Sequence, residues 1–168
     1  MTSTLGPMVN EFHEEAAVTK RVLDRVPADK LTWKPHPKSM SLGQLALHVA
    51  RIPANLTRLT QLDGFDTSQA SFDPPAPADI HEIQAALDES IRSAGDYLKG
   101  MSEQSAQQSW RLTSKGREVF SKPRIAVVRS IMLNHWYHHR GQLSVYLRLL
   151  DVPVPVIYGR SADENPFA

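Results

Sequence analysis

The side chains best suited to chemistry in this chain are histidines. In the stretch Asn134-His135-Trp136-Tyr137-His138-His139-Arg140-Gly141-Gln142, His135 and His139 are four residues apart, which on a helix stacks them on one face about a turn from each other. Their neighbours mark that face as the apolar one, with Ile125, Val128, Ile131 and Met132 before them and Leu143, Tyr146, Leu147 and Leu150 after. Both imidazoles are expected to point inward, with His138 at the edge of the stripe. A bare imidazole in such a seam is costly unless each ring nitrogen finds a partner. Carbonyls or waters, carboxylates and a metal ion all qualify, and two ligands alone do not make a metal site.

A third histidine is in phase with a second apolar helix. His48 lies three residues after Leu45 and four before Ile52, on the stripe Leu42, Leu45, Val49, Ile52, Leu56 and Leu59. Two histidines from one helix and one from another, facing a common point, leave coordination positions free, the pattern of a catalytic rather than a structural metal. The third histidine tips the reading toward a metal ion, the alternative being three core histidines satisfied by hydrogen bonds. With no cysteine in the chain, an ion must be held by nitrogen and oxygen donors. Such an ion could acidify a bound water or a thiol, and the thiol would have to come from outside.

Rival chemistries find less support. A di-iron carboxylate centre needs Glu-x-x-His pairs, but Met132 and Trp136 stand three residues before His135 and His139. No Gly-x-Ser-x-Gly elbow is present. His13-Glu14-Glu15-Ala16-Ala17 begins like a His-Glu-x-x-His zinc motif but lacks the second histidine, so His13 is expected at the surface or rim. His81 is expected in solvent.

Four helices are predicted to position these residues. The first runs from about Gly6 to Val26, ended by Pro27. The second opens at Ser41, with Gln44 at capping-box spacing, and is loosened by Pro53 just past His48. The third runs from Asp79 as N-cap to Met101. The last is a single helix from Pro123, suited to a first turn, to Leu150. Asp63 to Ala78 reads as a proline-rich connector without chemistry of its own, and Trp110 to Phe120 fits a small hairpin or a flap. Trp33 is expected to lid one end of the core. The tail after Asp151 is proline-locked and extended, too apolar to leave the body.

The whole of residues 1–168 is expected to form one domain with a full core. With 41% hydrophobic and 22% charged residues, disorder is not expected. Nineteen basic against eighteen acidic side chains leave a net charge of +1, no footprint for nucleic acid or an anionic membrane. No apolar run has the length of a membrane span, and the N-terminus lacks the segments of a secretory signal, so a cytoplasmic location is expected.

The segments Ser39-Met40-Ser41-Leu42-Gly43-Gln44-Leu45-Ala46-Leu47-His48 and Asn134 to Leu143 resemble the two signature regions of the DinB/YfiT-like metalloenzymes, and Tyr146 to Pro155 with Tyr158-Gly159 continues the likeness. The resemblance implies an all-α four-helix bundle with an up-down-down-up course and a homodimer. It implies one divalent ion, nickel or zinc, held by His48, His135 and His139. It also implies chemistry on a small molecule, with thiol-dependent S-transferases and a mycothiol-dependent isomerase among characterised relatives. Trp136, Tyr137, His138 and Arg140, with Trp33 near the mouth, are candidate pocket residues, and Arg140 and Gln142 candidates for packing or ligand support. Catalytic residues beyond the ligands are not identified. A metal-stabilised binding or structural protein without turnover is the alternative to an enzyme.

Overall fold

The computed structural model describes residues 5–71 and 73–167. Four long helices, α1 (Leu5–Leu23), α2 (Leu42–Thr60), α3 (Ile80–Gly100) and α6 (Asn134–Leu149), pack on one another. α2 packs against α3 and α6, and α1 against the same two, so α1 and α2 sit diagonally. The buried seam between them contains Phe12, Leu45, Val49, Ile83, Leu98, Met132, Trp136 and Leu143. A short helix α4 (Glu103–Gln107) follows α3.

The start of α2 is fully tied down. Ser41 Oγ accepts from the Gln44 N–H and Gln44 Oε1 from the Ser41 N–H, the expected capping box. The next two orphan donors of the helix are satisfied from outside, the Leu42 N–H by the Trp33 carbonyl at 2.8 Å and the Gly43 N–H by the Leu31 carbonyl at 2.9 Å. A side chain at Gly43 would meet that same carbonyl at 3.0 Å. Trp33 thus helps to start the helix, and its ring lies edge-on to Tyr146, 5.7 Å away.

Pro53 sits inside α2 and has no N–H to give the carbonyl of Val49, four residues back. Trp136 supplies the missing donor: its Nε1–H reaches the Val49 oxygen at 2.9 Å, and its ring, fully buried, stacks on Phe12. On the other side of the proline, the Ala54 N–H donates to Ser90 Oγ of α3 at 2.9 Å. The loosened turn is held by its neighbours.

The expectation of an all-α fold is corrected by a small sheet. Strands β1 (Gly64–Asp66), β2 (Ser109–Ser114) and β3 (Arg117–Pro123) lie in the order β1-β2-β3, the first pair parallel and the second antiparallel. The hairpin turn places Lys115 and Gly116 at positive φ, the conformation that suits tight hairpin turns. The Asp66 carboxylate accepts from both of their N–H groups and from Thr113 Oγ1, stitching β1 to the turn. Gly64 is required there, because a Cβ would lie 2.5 Å from the Arg111 carbonyl. Part of the supposedly featureless connector is therefore sheet.

The single last helix is corrected as well. Pro123 ends β3, α5 (Arg124–Val127) follows, and residues Val128–Leu133 form a wide π turn before α6. The core positions of this region are Arg124, Val127, Val128, Met132, Leu133, Trp136, Arg140, Leu143 and Leu147. A π turn takes in one residue more than an α turn, which widens the helix just ahead of α6. α6 ends with Asp151 at positive φ and the Val152 N–H on the Leu147 carbonyl. The tail then packs back through Val152, Val154 and Ile157, as its composition led one to expect.

The tie between Trp136 and Val49 is testable. Trp136→Phe keeps the ring contact but strands a buried carbonyl, and should lower the unfolding free energy in urea by about 1–3 kcal/mol. Adding Pro53→Ala restores the helical donor. The double variant should recover most of that loss, and simple additivity of the two changes would contradict the pairing.

Candidate metal centre

α2 presents His48, and α6 presents His135 and His139 one turn apart. His48 and Val49 are adjacent, as are His135 and Trp136, so the Trp136–Val49 hydrogen bond sets the neighbouring imidazoles side by side. The Nε2 atoms of His48 and His135 are 3.2 Å apart. One ligand atom from each of the three histidines lies within 4.8 Å of the others. The ring centroids are 4.5 Å apart for His48 and His139 and 4.4 Å for His135 and His139.

This arrangement fits a small cation. Two nitrogens each ~2.0–2.1 Å from a tetrahedral zinc lie about 3.3 Å apart, close to the separation of His48 and His135. His139 is held by Gln142, whose Oε1 accepts from Nδ1–H at 2.7 Å. That bond fixes the tautomer and leaves the Nε2 lone pair of His139 free to bind. Among the described residues, the hydrogen bonds of the three rings run to Gln142 and between His48 and His135, none to a backbone carbonyl.

The rings are half-buried rather than sunk in the core. They open on a cavity of about 570 Å³, whose wall also includes Met40, Arg51, Asn55, Asp73 and Pro74. The proline-rich connector therefore does contribute to the site. It is pinned there by Gln44 Nε2 on the Pro74 carbonyl at 2.9 Å, and by Glu82, which accepts from the Ala78 N–H and pairs with Arg51 at 2.9 Å. Gln44 and the prolines were visible in the sequence, but nothing in their spacing marked this contact across thirty positions.

Burial pushes the His48 imidazole down to about 4, helped by the positive charge that His139 and His135 would carry beside it. His135 is lowered to about 4 by burial first, then by His139 and His138. Burial also lowers His139, against the pull of its bond to Gln142. Each shift favours the neutral imidazole, the state a metal ligand requires.

The aromatic and basic candidates do other work. Trp33, Trp136, Tyr137, His138 and Arg140 do not line the cavity. Arg140, 1% exposed, is an internal clamp: it pairs with Glu15 at 2.6 Å, reaches Thr19 Oγ1 and the Glu15 carbonyl of α1, and bonds Tyr158 of the tail. The Tyr137 hydroxyl donates to Glu11, which also pairs with Arg129; burial and that carboxylate raise its pKa. His138 is exposed. His13 is exposed too, edge-on to Phe12, and so is His81.

Comparison with known proteins places the chain among relatives. The model of the DinB family matches residues 1–165. The uncharacterised protein YrdA of Bacillus subtilis is 26% identical over 165 residues, covering 98% of this chain and 93% of YrdA. Among solved structures, a DinB-like protein of Bacillus cereus superposes with a TM-score of 0.68 at 21% identity, over 89% of this chain and 94% of its own. A DinB-like protein of Bacillus subtilis gives 0.69 at 19% identity, over 92% and 99%. At these identities the structural likeness is one of fold.

Two outcomes follow for the site. Gln142→Leu should weaken zinc or nickel affinity by about 10–100-fold while leaving the melting temperature nearly unchanged, read by competition with a chromogenic chelator. For the metal-free protein, the unfolded chain takes up protons on His48 and His135 from pH 6.5 downward, whereas the folded chain does so only near 4. Stability should therefore fall as pH drops from about 6.5 toward 4 and level off below. Urea melts at pH 7 and pH 5 measure this, and His48→Ala should flatten the slope.

Proposed function

The chain belongs to the DinB family, and from that membership and the convergence of three imidazoles we propose that it is a metal-dependent enzyme acting on a small molecule. The reaction class proposed is thiol-dependent S-transfer or hydrolysis. The observation that carries the reading is that His48, His135 and His139 bring their donor atoms within 4.8 Å of one another at the wall of an open cavity. A structural site would close around its ion; here the protein offers three donors and leaves one side to solvent or substrate.

His48, His135 and His139 would hold a divalent ion, with nickel or zinc proposed from the family resemblance. When bound, such an ion is a Lewis acid that makes a water or thiol more acidic at neutral pH. The protein's own part is to keep three imidazoles neutral, to orient His139 through Gln142, and to shape the cavity with Arg51, Asp73 and the connector. With no cysteine in the chain, a transferred thiol would be a low-molecular-weight cofactor. An up-down-down-up helix course and a homodimer belong to the same proposal.

Elemental analysis of the native protein should find about one ion per chain, lost in His48→Ala and His135→Ala variants whose circular dichroism is unchanged. Glutathione, cysteine and coenzyme A screened against chlorodinitrobenzene, with nitrophenyl esters for hydrolysis, should reveal turnover that a chelator abolishes. A bound ion with no chelator-sensitive turnover would leave a metal-stabilised binding protein instead, and no ion at all would overturn the metal reading.

A further inference from the structure

A second cavity adjoins the first at His135. It has a volume of about 480 Å³ and shares Asn55, Ser71 and His135 with the histidine cavity. Its character is different. Leu56 and Leu59 of α2, Phe65 of β1, Trp110 and Leu112 of β2 and Ile131 of the π turn make its wall mostly apolar. The one polar group of Trp110 is already spent, its Nε1–H donating to the Leu59 carbonyl at 3.2 Å, so the ring adds only hydrocarbon to the wall.

From this juxtaposition we infer that the substrate is amphipathic: an apolar aliphatic or aromatic body seated in the second cavity, and one polar end reaching His48, His135 and His139. This assignment rests on the metal reading of those three histidines. Large concave apolar surface is uncommon on proteins unless something binds there, and the volume lies within the ~300–1,000 Å³ range of small-molecule pockets. It exceeds by about threefold the ~150 Å³ void that holds a single benzene. The wall is also deliberate in its construction. The short sheet contributes Phe65, Trp110 and Leu112 to this wall, and the π turn that carries Ile131 and Met132 ends two residues before His135. Such turns are found mostly at functional sites. His135 is the hinge of the assignment, since one ring borders the apolar space and offers a nitrogen to the ion.

Two titrations by calorimetry separate the possible failures. In metal-free protein, 1-butanol through 1-octanol should bind more tightly with each methylene, by up to about fourfold per step. Leu56→Trp on α2 and Leu112→Trp on β2, which narrow the cavity from two different elements, should each weaken 1-octanol at least tenfold. No chain-length dependence, or no effect of whichever of these variants folds, overturns the inference whatever the metal does. In zinc-loaded protein, straight-chain hydroxamates from aceto- to octanohydroxamate should show the same slope on top of a zinc-dependent gain. The two narrowing variants should leave zinc content and acetohydroxamate affinity unchanged while flattening that slope. If zinc adds affinity for the short hydroxamate but the long chains gain nothing, the metal reading stands and the amphipathic substrate falls. If no zinc binds, both fall.

Discussion

One hydrogen bond sets the geometry on which the candidate centre depends. Pro53 leaves the Val49 carbonyl without a helical donor, and Trp136 of α6 answers it. An unpaired carbonyl in this position would cost about 1–3 kcal/mol, so the two helices are locked in one register rather than free to slide. Because His48 precedes Val49 and His135 precedes Trp136, the same register brings two imidazole nitrogens to 3.2 Å. A local defect in one helix becomes the device that aligns the ligands of two.

The rest of the framework keeps that alignment under load. One turn beyond Trp136 on α6, Arg140 joins the helix to α1 and to the tail through Glu15, Thr19 and Tyr158. A guanidinium 1% exposed is tolerable only because its donors are met by a carboxylate, a hydroxyl and a carbonyl. Removing one partner would leave a buried charge without compensation. α6 is thus held at two successive turns, by a neutral hydrogen bond to α2 and an ionic cluster to α1, and the histidines flank that buried face.

The cavities owe their shape to the irregular parts of the chain. The bundle supplies the imidazoles and one wall through α2, while the connector, the small sheet and the π turn close the rest. The connector is anchored by side chains that also serve α2 and α3: Gln44 caps one helix and holds Pro74, and Glu82 pairs with Arg51 and holds Ala78. Regular helices alone would leave the three rings facing open solvent, with neither the burial that keeps them neutral nor a surface to select what approaches them.

Much was legible in the residues themselves. Helix periodicity placed α1, α2 and α3 within a few residues, because apolar spacing and capping are local effects. The Ser41–Gln44 box and the Asp79 N-cap are read from positions three apart. The same periodicity put His48, His135 and His139 on inward faces. It could not show that α2 and α6 are neighbours, that Trp136 completes Val49, or that Gln142 rather than Arg140 supports a ligand, since each of these pairs a chemistry with a partner chosen by packing. The π turn escaped because its apolar residues, Val128, Ile131 and Met132, fit an α stripe just as well, so their spacing carries no sign of the wider turn. Strand β1 escaped because three residues carry no pattern until Asp66 finds the hairpin turn. Local propensity was settled by the sequence; neighbours, cavities and the register of the ligands were settled by the competition to bury surface and satisfy every buried polar group.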